Sequence, residues 1–206
     1  AGFTVRADSA ASRTIVLDSN SVIDCIDAGV YEIPGAGTST LYCRNNIVHK
    51  TTTNGFNCWF LDTWTTATRS GNHSSDTSAP ASTTGAARVI SATPTFVNRV
   101  GQDGRLSIDD TVVQSLGQSL SADASYPFTT DFGANTRVGS WDIGASSAPA
   151  SLLKTIKSAS GDYTSLSAWE AATQKDLTAS HEVAVAECYV MADTTAVTVD
   201  GWTTDA

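Results

Sequence analysis

Few side chains in this sequence stand at the spacings that chemistry requires. Glycoside hydrolysis needs two carboxylates roughly 5 to 10 Å apart across a groove, and a lyase needs acidic Ca²⁺ ligands beside a basic Arg or Lys. Asp24 and Asp27 are close in sequence, Asp62 and Arg69 flank a later run, and Asp109-Asp110 form a third acidic step. Each also has a structural reading. Asp24 alternates with Cys25 and points outward, Asp27 begins a turn whose backbone it can satisfy, and Asp109-Asp110 suit a solvated turn. His49, His73 and His181 are scattered in polar contexts, no GxSxG nucleophile elbow occurs, and no CxxC or HxxxH spacing marks a zinc site. Gly101 and Gly104 bracket a turn and not a phosphate loop, because no helix opening on Lys-Ser/Thr follows. We expect no catalytic residue, no cofactor and no metal.

Three other sets of residues have two readings each. Cys25, Cys43 and Cys58 lie inside β-rich runs, 18 and 15 residues apart, about the length of one coil in a stacked-coil protein. Stacking then places these small apolar thiols in a core ladder beside Val, Ile and Leu. Cysteines outside the cell often pair, but parallel side chains on adjacent coils give poor bridge geometry, so we expect free buried thiols. Cys188 has no evident partner. Arg44, Asn45 and Asn46 form either an exposed polar patch or an interior asparagine ladder. Trp59, Trp64 and Trp202 either pack in a core or interface or stack on sugars.

The elements that must position these residues are short strands. Hydrophobic residues make up 41 % of the 206, charged residues only 16 %, and Thr, Ser, Ala and Gly are abundant. That balance favours strands and turns over long helices. A formal net charge of −9 argues against nucleic acid, and no apolar run reaches the roughly 18 to 20 residues that a membrane-spanning helix needs. Low charge with high Thr/Ser fits an extracellular or virion-surface location, and Asn72-His73-Ser74 is a formal glycosylation sequon. The chain opens on Ala1, consistent with a processed chain, a fragment or a segment of a larger product.

Residues 3–60 repeat short β-rich runs ("FTV", "TIVL", "SVIDCI", "VYEI", "STLYCRNNIV", "GFNCWFL") separated by Gly, Asn, Asp, Ser and Pro. The Thr/Ser-rich stretches "HKTTTNGF" and "TTATRSGNHSSDTSAPASTTGAA" read as longer loops. Near residue 160 comes "SGDYTSLSAWEAATQKDL", where Thr164 or Ser165 can cap a short helix, with Ser167/Glu170 as a competing register. Leu166, Trp169 and Ala172 then share one face.

Pro94, Phe96, Val97, Asn98, Gly104, Leu106, Asp131, Gly133, Arg137, Gly139 and the run Trp141-Asp142-Ile143-Gly144-Ala145 match, in order, the closing coils of a known family. In this the chain resembles the right-handed parallel β-helix proteins of the pectate-lyase-like type, in versions common among phage and environmental sequences. "GDYTSLSAWEAA", the apolar "VAVAECY" and "TTAVTVDGWTTDA" resemble that family's opening, whose helix caps the first coil. The resemblance implies an all-β right-handed parallel β-helix with one short capping α-helix, covering nearly all of the chain in circularly permuted order. Closing coils occupy 1–148, a linker 149–157, and the cap and first coils 158–206.

The inverted order fits a repeat of a tandem array, a permutant that closes on itself, or molecules stacked end to end. The resemblance points to a structural protein that assembles head-to-tail with itself into a virion appendage or extracellular filament. Its interface is expected at Phe3 and Val5 on the leading edge and at Val197, Val199 and Trp202 on the trailing one. The alternatives are a carbohydrate-active β-helix enzyme, such as a tailspike-like depolymerase or polysaccharide lyase, and a non-catalytic adhesin whose partners are surface glycans.

Overall fold

The computed structural model describes residues 3–6, 13–24, 28–33, 39–50, 57–60, 66–100, 103–190 and 193–204. They form a β-rich protein with few helices, divided into two compact units, residues 1–148 and 149–206.

In the first unit the chain visits three sheets in turn. The first cycle is β1 (Phe3–Arg6), β2 (Arg13–Asp18) and β3 (Ser21–Ile23). The second is β4 (Val30–Ile33), β5 (Ser39–Arg44) and β6 (Ile47–His49). The third is β7 (Trp59–Phe60), β8 (Thr66–Ser70) and β9 (His73–Ser74), and β10 (Val89–Ile90) follows. Each strand pairs in parallel with its counterpart in the next cycle, giving sheets ordered β1-β4-β7, β2-β5-β8 and β10-β9-β6-β3. Thr14, Thr40 and Thr66 align across the second sheet, as do Ser21, Ile47 and His73 across the third, so the repeat there is 26 residues.

That period corrects the 15 to 18 residues read from the cysteines. Cys43 and Cys58 are buried free thiols in one apolar cluster with Val22, Val30, Leu41, Val48, Trp59 and Ala79. They do not stack on each other, because Cys43 aligns with Leu17 and Arg69 along its sheet, while Cys58 immediately precedes β7. Burial pushes both thiols' pKa up, which keeps them unreactive. Cys25 lies outside the described residues.

The turn between the second and third sheets recurs with the same geometry. Ser19, Asn45 and Gly71 have φ of 52°, 55° and 58°, left-handed values that Gly and Asn accept most readily. At Gly71 space reinforces the choice, since a Cβ would meet Asn45 Oδ1 at 2.7 Å. The stretch 65–87, expected as a loop, holds β8 and β9. Thr and Ser do not mark these strands by alternation, yet register with β5 and β6 fixes them.

Residues 94–148 add an antiparallel pair, β11 (Phe96–Asn98) and β12 (Asp103–Leu106), followed by irregular chain. Phe96, Leu106, Val113 and Ile143 pack with Ile47 into a second apolar cluster joined by Ile23 and Val89 of the third sheet. Carboxylates hold this segment's backbone. Asp110 is buried and accepts the N–H groups of Thr95, Val112, Val113 and Gln114, so it is not the solvated turn residue expected. Asp142 accepts from Ser115 and Ala148, Asp131 from Asn135 and Ser147. Arg137 donates to the carbonyls of Asp142 and Gly144 and lies 5.2 Å from the centre of the Trp141 ring. The Asp131 to Ala145 motif is therefore a set of backbone clamps.

In the second unit β13 (Ala150–Ile156) pairs in parallel with β14 (Glu182–Cys188) over seven rungs, and helices α1 (Leu166–Thr173) and α2 (Leu177–Ser180) lie between them in sequence. The expected linker at 149–157 thus contains a strand, and there are two helices among the described residues where one was expected. Ser165 caps α1 by accepting from Ala168 N, so the competing Ser167/Glu170 register does not form. The buried face also differs from the expected one. Glu170 and Thr173 are buried, Leu166 and Trp169 half-buried and Ala172 exposed. Glu170 turns inward because its Oε1 accepts from Asp200 N and Trp202 Nε1, both at 3.1 Å. Neither helix is long and apolar enough to cross a membrane.

Candidate functional site

The recurring turn builds a column of asparagines, Asn20, Asn46 and Asn72, each 26 residues from the next. Asn46 Oδ1 accepts from Asn20 N at 3.0 Å and Asn20 Nδ2 at 2.9 Å. Asn72 Oδ1 accepts from Asn46 N at 3.1 Å and Asn46 Nδ2 at 2.9 Å. Asn46 Nδ2 also donates to Leu17 O, and Asn72 Nδ2 to Cys43 O, both at 2.7 Å. Arg44, Asn45 and Asn46 are all buried, so they form no exposed patch, and of the three Asn46 is the one that belongs to the interior ladder. Asn72 is fully buried in it, so the sequon offers no accessible amide in the folded chain.

Around the column the 94–148 segment is fastened to the turns. Asn45 exchanges two hydrogen bonds with the backbone of Gln118, Gly144 N donates to Asn45 O, and Ala145 N donates to Ser21 Oγ. Buried Arg44 is held between two carboxylates, donating from Nε to Asp18 Oδ1 at 3.0 Å and from its terminal nitrogens to Asp18 and Asp123. Burial alone would lower the Arg44 pKa, but hydrogen bonds and charge from Asp18 and Asp123 outweigh it and raise it. Asp123 is pulled below the usual carboxylate range, first by the N–H of Tyr126, so it suits an ion pair and not a general acid. Tyr126 packs edge-on against Tyr42, ring centres 5.0 Å apart, and Phe128 likewise against Trp141 at 5.2 Å.

These contacts wall an open groove of about 380 Å³ lined by Val16, Asp18, Asn20, Tyr126, Pro127 and Phe128. Val16 and Asp18 belong to β2 and Asn20 to the turn between β2 and β3, and neither strand has a neighbour on its outer side among the described residues. Asn20, Asp18 and Asp123 were not singled out by sequence, and Asn72 was read only as part of a sequon. The signal lay in "SNSV", "NNIV" and "GNHS", the same turn three times at 26-residue spacing.

The other chemical candidates are dispersed. Asp24 is exposed and lies 3.6 Å from Arg99, Asp27, Asp62 and Trp64 lie outside the described residues, and Arg69 aligns with Cys43. Trp59 is buried and donates from Nε1 to His73 O. Trp202 is half-buried, its ring centre 5.6 Å from that of Trp169 with the planes tilted by 30°, and its Nε1 donates to Glu170. Phe3 and Val5 lie in edge strand β1, opposite Val30 and Glu32, and Val197 and Val199 lie outside any strand, half-buried and exposed. His49 accepts from Arg99, while His73 is fully buried with Nε2 at 2.9 Å from Ala92 O. No group of three metal-ligating side chains occurs among the described residues. Compared with known proteins, the chain matches no family model, no curated protein and no solved structure.

Proposed function

We propose that this chain is a structural protein whose first unit is a short right-handed parallel β-helix of the pectate-lyase-like type. Copies stack head-to-tail through its ends into a virion appendage or extracellular filament. The observation that carries this reading is that the three parallel sheets all begin on the same cycle. β1, β2 and β3 are each the terminal strand of a sheet. Their outer N–H and C=O groups, which have no neighbouring strand among the described residues, form an edge of one polarity that a parallel strand from another copy can complete. β14 offers such a strand, since only β13 pairs with it among the described residues, and Val183 and Val185 on it are exposed. A contact between unlike ends propagates into a linear polymer unless its rotation closes a ring.

A second reading, a glycan-binding adhesin, is favoured by Tyr126 and Phe128 in the groove, since aromatic faces stack on sugars. The enzymatic variant has less support, because Arg44 ties down both nearby carboxylates. Electron microscopy of the wild type should reveal fibres, and the double substitution Val197→Asp with Val199→Asp should give monomers on size exclusion. Polymers unchanged by it would overturn the assignment of the trailing edge, and sugar turnover by the wild type would restore the enzyme reading.

A further inference from the structure

The asparagine column has a direction. In each rung the higher-numbered residue supplies Oδ1, and the lower-numbered one supplies both its backbone N–H and its Nδ2. Asn20 opens the series, and its Oδ1 receives no donor among the described residues, although its Nδ2 and N–H are both engaged. Asn20 also lines the groove, and the strands on either side of it, β2 and β3, are both terminal. An amide oxygen set between two open parallel edges matches the turn between two strands of a further parallel cycle, which arrives with N–H groups where the oxygen needs them. Polarity removes one alternative. Two copies meeting leading end to leading end would set Asn20 Oδ1 against Asn20 Oδ1, acceptor against acceptor, so a two-fold contact wastes the site while a head-to-tail contact completes it.

We infer that the groove at Asn20 is the docking site for the trailing end of a second copy of this chain. A backbone N–H of the incoming copy donates to Asn20 Oδ1 and carries the ladder across the junction. This rests on the head-to-tail reading and adds where the copies meet and in which polarity. β14, whose outer edge has no neighbour among the described residues, supplies the incoming strand. Tyr126, Pro127 and Phe128 form the wall beside the incoming turn, and Tyr126 is already positioned by Tyr42 and by its N–H to Asp123 Oδ1 at 2.7 Å. The occupant therefore meets a preformed surface, which lowers the cost of ordering it.

The test is amide hydrogen exchange on the full chain, dilute and concentrated, with sedimentation of Asn20→Ala and Tyr126→Ala beside the wild type. Assembly should protect residues 13–23, and each variant should associate about tenfold more weakly, the loss of roughly one hydrogen bond or ring contact. Tyr126→Ala removes no ladder bond, so it reports on docking even where Asn20→Ala weakens the fold. A wild type that assembles with protection elsewhere, and variants that associate as tightly, would overturn this inference and leave head-to-tail assembly standing. A wild type that stays monomeric overturns both. Protection of 13–23 in monomers on adding dextran oligosaccharides, without gain of mass, would assign the groove to a sugar and overturn it as well.

Discussion

Asn46 takes part in the hydrogen bonds of both rungs of the column, and removing its side chain leaves Asn20 N without its acceptor and Leu17 O without this donor, while Asn72 Oδ1 keeps the Asn46 backbone N–H. A buried polar group left unpaired costs more than a missing average hydrogen bond. Asn46→Ala should therefore lower unfolding free energy by about 3 kcal/mol in urea titration, against about 1 kcal/mol for Asn20→Ala at the open end. Similar losses at both positions would mean that the rungs do not act as a column. His73 carries a second residue-scale consequence. It is fully buried, its Nδ1 has no partner among the described residues, and burial lowers its pKa to about 4 from the ordinary 6.5. Because the folded value is the lower one, the unfolded chain binds the extra proton between those limits. Stability is then level above neutrality and falls as pH drops from 6.5 towards 4. His49, lowered in the same direction by burial and by Arg99, adds to the slope. Urea midpoints taken from pH 7 to pH 4.5 should fall in the wild type and fall less in His73→Gln. Equal slopes would place the acid sensitivity elsewhere.

At the scale of elements, α1 shows what a single inward carboxylate does. Glu170→Ala strands Trp202 Nε1 and Asp200 N and should destabilise the second unit by about 2 kcal/mol, with a red shift of tryptophan emission, whereas Glu170→Gln keeps the acceptor and most of the stability. An Ala variant as stable as Gln would refute the role given to Glu170. The same helix marks the border of what sequence makes legible. Its existence and its Ser165 cap follow from local chemistry, but its buried face does not, since that depends on an indole 32 residues away. The apolar strands β2 to β6 were likewise readable from alternation, while β8, rich in Thr, was not, because its place comes from register with β5 and not from its own pattern. The cysteines misled on period because Cys43 and Cys58 occupy different positions in the repeat. The left-handed turns at Ser19, Asn45 and Gly71 mark it correctly, and the column they support is the part of the site that sequence contained but did not announce. Asp18, Asp123 and the Tyr126 wall were beyond reach, since a separation of 79 residues joins Arg44 to Asp123.

For the whole molecule, each copy carries a formal charge of −9, so copies that stack must do so against their own repulsion. Added salt screens that repulsion over distances of about 10 Å at 0.1 M. Association should therefore strengthen as NaCl rises from low to physiological ionic strength, the reverse of a contact held by opposite charges, and light scattering at fixed protein concentration reads the sign directly. In the head-to-tail assembly we propose, the attraction comes from the outer edges of β1, β2 and β3, which have no neighbour among the described residues, and a contact between unlike ends grows linearly unless its rotation closes a ring. Sedimentation velocity across a wide concentration range tests that account most directly. It predicts a progressive series of elongated oligomers whose frictional ratio rises with mass. A chain that remains monomeric throughout, or that stops at a compact dimer, would contradict it.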